Sequence, residues 1–385
     1  MFTYRSRSTR QLFASRVVLV DQVKWLHIAL MCGATLIPIV AAGAQGPDRV
    51  TLSGRNIAIY NLVGSLHVTG GGSSTVATIT RRGRDAGKLT LATGNVDGSE
   101  ALRVMYPGDR VTVPDSRNRR SRTEIRVRDN GTFGNNYNHE NNGRRRSSSM
   151  FSDGRRVQIG SESGGLEAAV DIQLQIPNGV SVRLHLGVGD VDVRGVNGDI
   201  AVDVSGANIT VVDTKGTLTL DTGSGAATLT NVNGLISLDT GSGNVVAKNI
   251  TSDGFIIDSG SGDVTVDGCA CSKVSIETGS GGLRVSEMTT KSLALDTGSG
   301  DVVLGLRNAP DIITIDSGSG NVTLTLPTDF GAVIDIDTGS GGIASDFPIT
   351  LSSKSRGEMH GRIGRGDGKL SIETGSGSVK LRKAN

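Results

Sequence analysis

Aromatic residues make up only 3% of this 385-residue chain: one Trp, four Tyr and seven Phe. So little bulk excludes a thick globular core. It also weighs against sugar recognition by ring stacking, because the single Trp, Trp25, falls in a leader segment. Cysteine is nearly absent. Of three, Cys32 lies in the leader, leaving Cys269 and Cys271 within "DGCACS". Residues two apart on an extended strand sit near the upper limit of disulfide spacing, and two thiolates alone make a poor metal site. The plain reading is two unpaired small residues near a turn. No His-Glu-x-x-His, Gly-x-Ser-x-Gly or phosphate-loop motif occurs. His67, His185 and His360 are scattered and read as surface residues. Long hydrophobic runs are also missing: the apolar stretch from Trp25 to about Val40 spans some 16 residues, short of the roughly 20 needed to cross a bilayer.

That stretch follows Arg5, Arg7, Arg10, Arg16 and Lys24 and precedes the small-x-small site Ala42-Gly43-Ala44. Residues 1–44 therefore read as a signal peptide cleaved after Ala44, and the chain as exported to the periplasm, the outer surface or the medium. The formal charge of +2 conceals a division. The leader carries +4 and the segment Asp115–Arg156, with 11 Arg against 5 acids, carries +6, which leaves −8 on the remainder.

Glycine is abundant instead, at 55 residues, roughly twice the usual share. Much of it belongs to one repeated phrase: an acid, then Thr or Ser, then Gly-Ser-Gly. Its acids are Asp221, Asp239, Asp258, Glu277, Asp296, Asp316, Asp337 and Glu373, at intervals of 18, 19, 19, 19, 20, 21 and 36 residues. One and three positions before each acid stand large apolar residues, as in Leu218/Leu220 and Ile313/Ile315. Two beyond the final Gly another follows in seven of eight copies. Period-two alternation marks a strand with one buried face, so each unit is strand, Gly-Ser-Gly corner, strand, second corner. His185 and Asp203 fall in the same register upstream, and the repeat starts near Val180.

The expected fold is all-β, a right-handed parallel β-solenoid with coils of about 19 residues. Stacked columns explain why every coil chooses the same residue at the same place. The alternative is an antiparallel β-meander or sandwich, whose tight Asn-Gly hairpin turns are largely missing. Residues 45–115 form an N-terminal β-strand region. Residues 116–156 form an Arg-rich polar insertion, a protruding loop or long hairpin, and 157–385 the solenoid. The stretch between Asp337 and Glu373 is an excursion that would cap the rod.

Turn chemistry accounts for the phrase: the acid accepts from N–H groups one to three residues on, Thr or Ser supports the same bend, and Gly admits positive φ. The rival is calcium, with Asp258, Asp263, Asp296 and Asp301 as candidate ligands. The second acid of each such pair is elsewhere Ala, Asn, Gly or Ser, against a need for six to eight oxygens. No catalytic residue, cofactor or metal is therefore expected, because an active site breaks symmetry once and does not recur eight times. A polysaccharide-active β-helix lyase or hydrolase is the enzymatic alternative, and a calcium-stabilised β-roll the third. The Arg-rich insertion suits contact with an anionic envelope polymer or surface, while export sets nucleic acid aside.

With "IAIYNLVGSLHVTG", "LQIPNGVSVRLHLGVGDVDVRGVNGDI" and the run of "DTGSG" phrases, the chain resembles the bacterial "putative adhesin" domain family of unknown function, akin to auto-transporter adhesin head domains. The resemblance covers most of the mature chain outside the Arg-rich insertion. It implies an exported β-helix-like protein, a cell-envelope scaffold or adhesion module, and transfers no functional residues.

Overall fold

The computed structural model describes residues 38–39, 47–114, 122–134, 154–161 and 164–384. The leader, apart from Pro38–Ile39, and the cleavage site at Ala44 lie outside the described residues, as do 115–121 and 135–153 of the Arg-rich insertion. Among the described residues the chain is all β except for a single 3-10 turn at Ala86–Lys88.

The repeats pair in parallel, coil on coil. Leu218 lies beside Ile236, Ile236 beside Phe255, Phe255 beside Val274 and Val274 beside Leu293, register offsets of 18, 19, 19 and 19 residues. The strands after the Gly-Ser-Gly corner keep step, with Ala227, Val245, Val264, Leu283 and Val302 in one row. Hairpins between repeats, the meander alternative, are not how this region pairs. Each coil sends a short row of apolar side chains inward, such as Leu218, Leu220, Ala227, Leu229 and Val232, all nearly inaccessible. These rows merge into one continuous hydrophobic core. A thin coil filled by Val, Ile and Leu needs few aromatics, which accounts for the composition.

Spatial order departs from chain order at both ends. The strand Asn56–Gly70 stacks directly on Ser181–Arg194, Ile57 beside Val182 and Leu66 beside Val191. The N-terminal strands therefore belong to the same sheet as the repeats, and the boundary drawn between them in the sequence is not a boundary in the structure. At the other end Gly368–Thr374 inserts between Ile312–Ser319 and Ala332–Asp337. The excursion then folds as Ile349–Lys354 and Glu358–Ile363, which pair antiparallel with each other, and Glu358–Ile363 also pairs antiparallel with Ala332–Asp337. Ile349–Lys354 ends the stack. A register shift at Leu351/Ser353 and the charge of Lys354 disfavour further strand addition there.

Arg122–Val127 and Arg155–Gly160 form a hairpin, in register from Arg122–Gly160 to Val127–Arg155. With Arg110–Thr112 and Leu166–Glu167 it makes a separate four-stranded sheet. Its Ile125 and Ile159 seat on the stack at Gly187, where a Cβ would meet their Cδ1 atoms at 2.7 and 3.0 Å. Cys269 and Cys271 are joined by a disulfide, not left as thiols, with a Cα–Cα distance of 5.5 Å. The chain bends through a coil corner there, which shortens the spacing that an extended strand would impose.

Candidate functional site

Parallel register places the repeated acids in one outward row. It runs Asp203, Asp221, Asp239, Asp258, Glu277, Asp296, Asp316, Glu373 and Asp337. Glu373 precedes Asp337 because the last coil is inserted. Tyr60 and His185 head the row and Glu358 closes it. Adjacent members lie about 4.8 Å apart, one strand spacing. The acids face out because the residues before and after them face in, and the row two positions before them mixes small side chains, Ser237, Ser275 and Ala294, with Ile256 and Asp335.

Three members of the row, Asp296, Asp316 and Glu373, are raised above the usual carboxylate range. Partial burial, then the neighbouring carboxylates Asp316 and Glu277, hold Asp296 above the usual range. Burial does the same for Asp316. Glu373 is raised by burial and then by Asp316, Asp337 and Asp335. The local N–H cap expected from turn chemistry occurs at Asp337, whose Oδ1 accepts from the Gly339 N–H at 2.9 Å.

The Thr or Ser after each acid does more than support the bend. Thr222, Thr240, Ser259, Thr278, Thr297, Ser317, Thr338 and Thr374 all point into the coil, with at most 1% exposure. Two bond within their own corners, Thr338 donating to the Gly341 carbonyl at 2.8 Å and Thr374 accepting from the Gly377 N–H at 3.1 Å, and three donate to a carbonyl at the corner of the coil below. Thr222 reaches Ala207 at 3.5 Å, Thr297 reaches Gly281 at 3.4 Å and Thr374 reaches Gly320 at 3.3 Å. The hydroxyls of Thr240, Ser259, Thr278 and Ser317 have no partner within hydrogen-bond reach, a cost carried inside the core.

The proposed calcium ligands divide between two rows. Asp258 and Asp296 belong to the acidic row. Asp263 and Asp301 belong to a ladder beyond the corner, where a side-chain oxygen accepts from the N–H of the same position one coil on. The Asn208 Oδ1 takes Ala226 at 3.1 Å, Asn244 takes Asp263 at 3.0 Å, Asp263 takes Gly282 at 2.8 Å and Asp301 takes Asn321 at 2.8 Å. Either Asn or Asp serves here, which accounts for the irregular second acid. Among the described residues no three His, Cys, Asp or Glu side chains are grouped so as to hold a metal ion.

A further ladder escaped the sequence reading. Asp213, Asn231 and Asn249 adopt left-handed backbone conformations with φ of 55°, 55° and 54°. Asn231 donates to Asp213 at 2.8 Å and Asn249 to Asn231 at 3.1 Å. The signal was present: short amide or acid side chains 18 residues apart, the types that tolerate this conformation.

The histidines divide. His67 is exposed, and His360 is partly exposed and 2.9 Å from Asp335. His185 is buried, at 6% exposure. Its ring stacks on Tyr60 with centroids 4.3 Å apart, and its Nδ1 lies 3.4 Å from Asp203 Oδ2. Phe133, from the Arg-rich insertion, meets both rings edge-on at 5.9 and 6.3 Å. Burial, then Asp97, raises the Tyr60 hydroxyl above its ordinary range. This is the aperiodic group at the head of the row, and Phe133 and Gly134 cover it.

An all-β chain of stacked parallel coils, with a side sheet docked near one end, is the class of protein defined by these observations. The chain belongs to the Toastrack DUF4097 family, which it matches over residues 108–382. No curated protein matches it. A solved structure, described as a "putative cell adhesion protein" from Clostridium sporogenes, aligns over 88% of this chain and 100% of its own at 11% identity, with a TM-score of 0.18. At that score the likeness carries no argument.

Proposed function

We propose that the chain is an exported, non-enzymatic β-solenoid, right-handed with coils of about 19 residues, that acts at the cell envelope as a scaffold or adhesion-type binding module. Adhesion enters through the family resemblance. The partner is an anionic envelope polymer, and the observation that supports it lies on the Arg-rich hairpin. Arg126 stands directly opposite Arg156 across the strand pair, with Arg122 exposed on the same face. Like charges placed opposite each other destabilise a hairpin, and Glu124, 3.3 Å from Arg156, offsets only part of that charge. An anionic chain laid along the face relieves the rest. The hairpin also overhangs a cleft of about 490 Å³ lined by Thr123, Asp190, Asn208 and Ser224, polar groups suited to the hydroxyls of such a polymer. This reading requires neither cofactor nor cation.

Co-sedimentation with a purified anionic wall polymer tests it. Binding is expected at low salt, to weaken steeply by about 0.5 M salt, and to fall at least about tenfold in Arg126→Glu/Arg156→Glu. Equal binding by the double variant, or binding indifferent to salt, would sink the proposal. The enzymatic rival would use the His185, Asp203 and Tyr60 group, and would require the Phe133 turn to move away.

A further inference from the structure

We propose that Cys269 and Cys271 form a redox-sensitive clasp at the corner between Cys269 and Val274 of one coil, standing in for the hydroxyl hydrogen bond that closes this corner in the coils on either side. The argument begins with coil length. Between the inward residues Val232 and Ile236 the corner is "NGL", but between Ile250 and Phe255, Cys269 and Val274, and Met288 and Leu293 it holds one residue more. The extra residue enlarges the coil from 18 to 19 residues, and it brings a second inward side chain into the corner. That side chain is Ser252, Cys271 or Thr290, each at most 5% exposed and all in one register.

A buried residue at a sharp bend leaves backbone groups to satisfy. Ser252 does so within its own corner, donating to the Gly254 carbonyl at 2.7 Å and accepting from the Gly254 N–H at 3.1 Å. Thr290 donates to the Ser292 carbonyl at 3.1 Å, the same step of two residues. Cys271 occupies the equivalent place, but a thiol is a weak donor and forms this bond poorly. Its sulfur is bonded instead to Cys269, which takes the apolar position filled by Ile250 and Met288 in the adjoining coils. One cysteine thus serves as core and the other as clasp.

The clasp forms by thiol–disulfide exchange with a disulfide-bonded donor. The Cys271 thiolate attacks the donor disulfide and gives a mixed disulfide. The Cys269 thiolate then displaces the donor, which leaves as a dithiolate and takes up the two protons the cysteine thiols gave up, so it departs as a reduced dithiol with no net proton released. Because both sulfurs are buried, exchange in either direction requires the corner to open. Reduction replaces the clasp with a buried thiol, and the coil loosens.

Thiol labelling of the full chain in urea tests the oxidised state, independently of the export reading. Without reductant at most one maleimide is expected, on Cys32, against three after reduction. Wild-type protein refolded in reductant should unfold about 2–5 °C lower than the oxidised form. Cys269→Val/Cys271→Ser restores the hydroxyl bond, and should match oxidised wild type within about 1 °C and ignore reductant. Cys269→Val/Cys271→Ala should resemble reduced wild type. Three labels without reductant, a melting point that reductant does not move, or equal loss in the Ser and Ala variants would each overturn the proposal. The first two need no variant to fold.

Discussion

Gly281→Ala is expected to destabilise the protein by at least about 3 kcal/mol, whereas Gly282→Ala, one residue on, should change stability by no more than about 0.5 kcal/mol. Gly281 closes the repeated phrase, and Gly282 occupies the variable position that follows it. In the stack, a Cβ on Gly281 would lie 2.1 Å from the Gly262 carbonyl oxygen of the coil below, at a φ of +147°. Side chain and backbone conformation are excluded together. At Gly282 the nearest atom is the Asp263 Oδ1 at 3.5 Å, ordinary contact. Gly281 in turn sits beneath Gly300, whose Cβ would meet its carbonyl at 2.1 Å, so the fault would be felt by both neighbouring coils. Urea unfolding of the two variants beside wild type measures the difference. Equal effects would mean that glycine is needed for its turn alone, and not for the approach of one coil's backbone to the next.

Phe255→Ala should cost about 3–5 kcal/mol, and Ile256→Ala next to it about 0.5 kcal/mol or less. Phe255 has no exposed surface and lies in the row between Ile236 and Val274. Its removal leaves a void that the coils above and below cannot fill, because their spacing is set by backbone hydrogen bonds. Ile256 is 51% exposed on the outer face. Thermal or urea unfolding separates them. A similar loss at both positions would contradict the assignment of inward and outward faces.

The parallel stacking and the acidic row were legible because periodicity of two within a unit and of 18 to 20 between units leaves few ways to bury Leu, Ile and Val. The same alternation, carried one step past the acid, also places Thr222 and its equivalents inside. Turn chemistry hid this, since Asp-Thr-Gly reads as a bend before it reads as a strand. The intercalation of Gly368–Thr374 was not legible: sequence spacing orders coils along the chain, whereas stacking follows whichever edge is open. Burial of His185 was missed because Phe133, which covers it, arrives from an insertion distant in sequence. The disulfide was missed because spacing on a straight strand was assumed where the strand bends. The Asn ladders depend on a left-handed corner that composition alone does not announce.

The central claim is that the repeated acids stand one above another in parallel coils. Cysteine cross-linking examines this directly. In Asp239→Cys/Asp258→Cys the two sulfurs would sit on paired residues of adjacent coils, about 4.8 Å apart in backbone spacing and within disulfide range. In Asp239→Cys/Glu277→Cys they would be separated by two spacings, about 10 Å, and out of range. Mild oxidation followed by peptide mapping should find the first bond and not the second. Failure of the first to form, or equal formation of both, would contradict the stack.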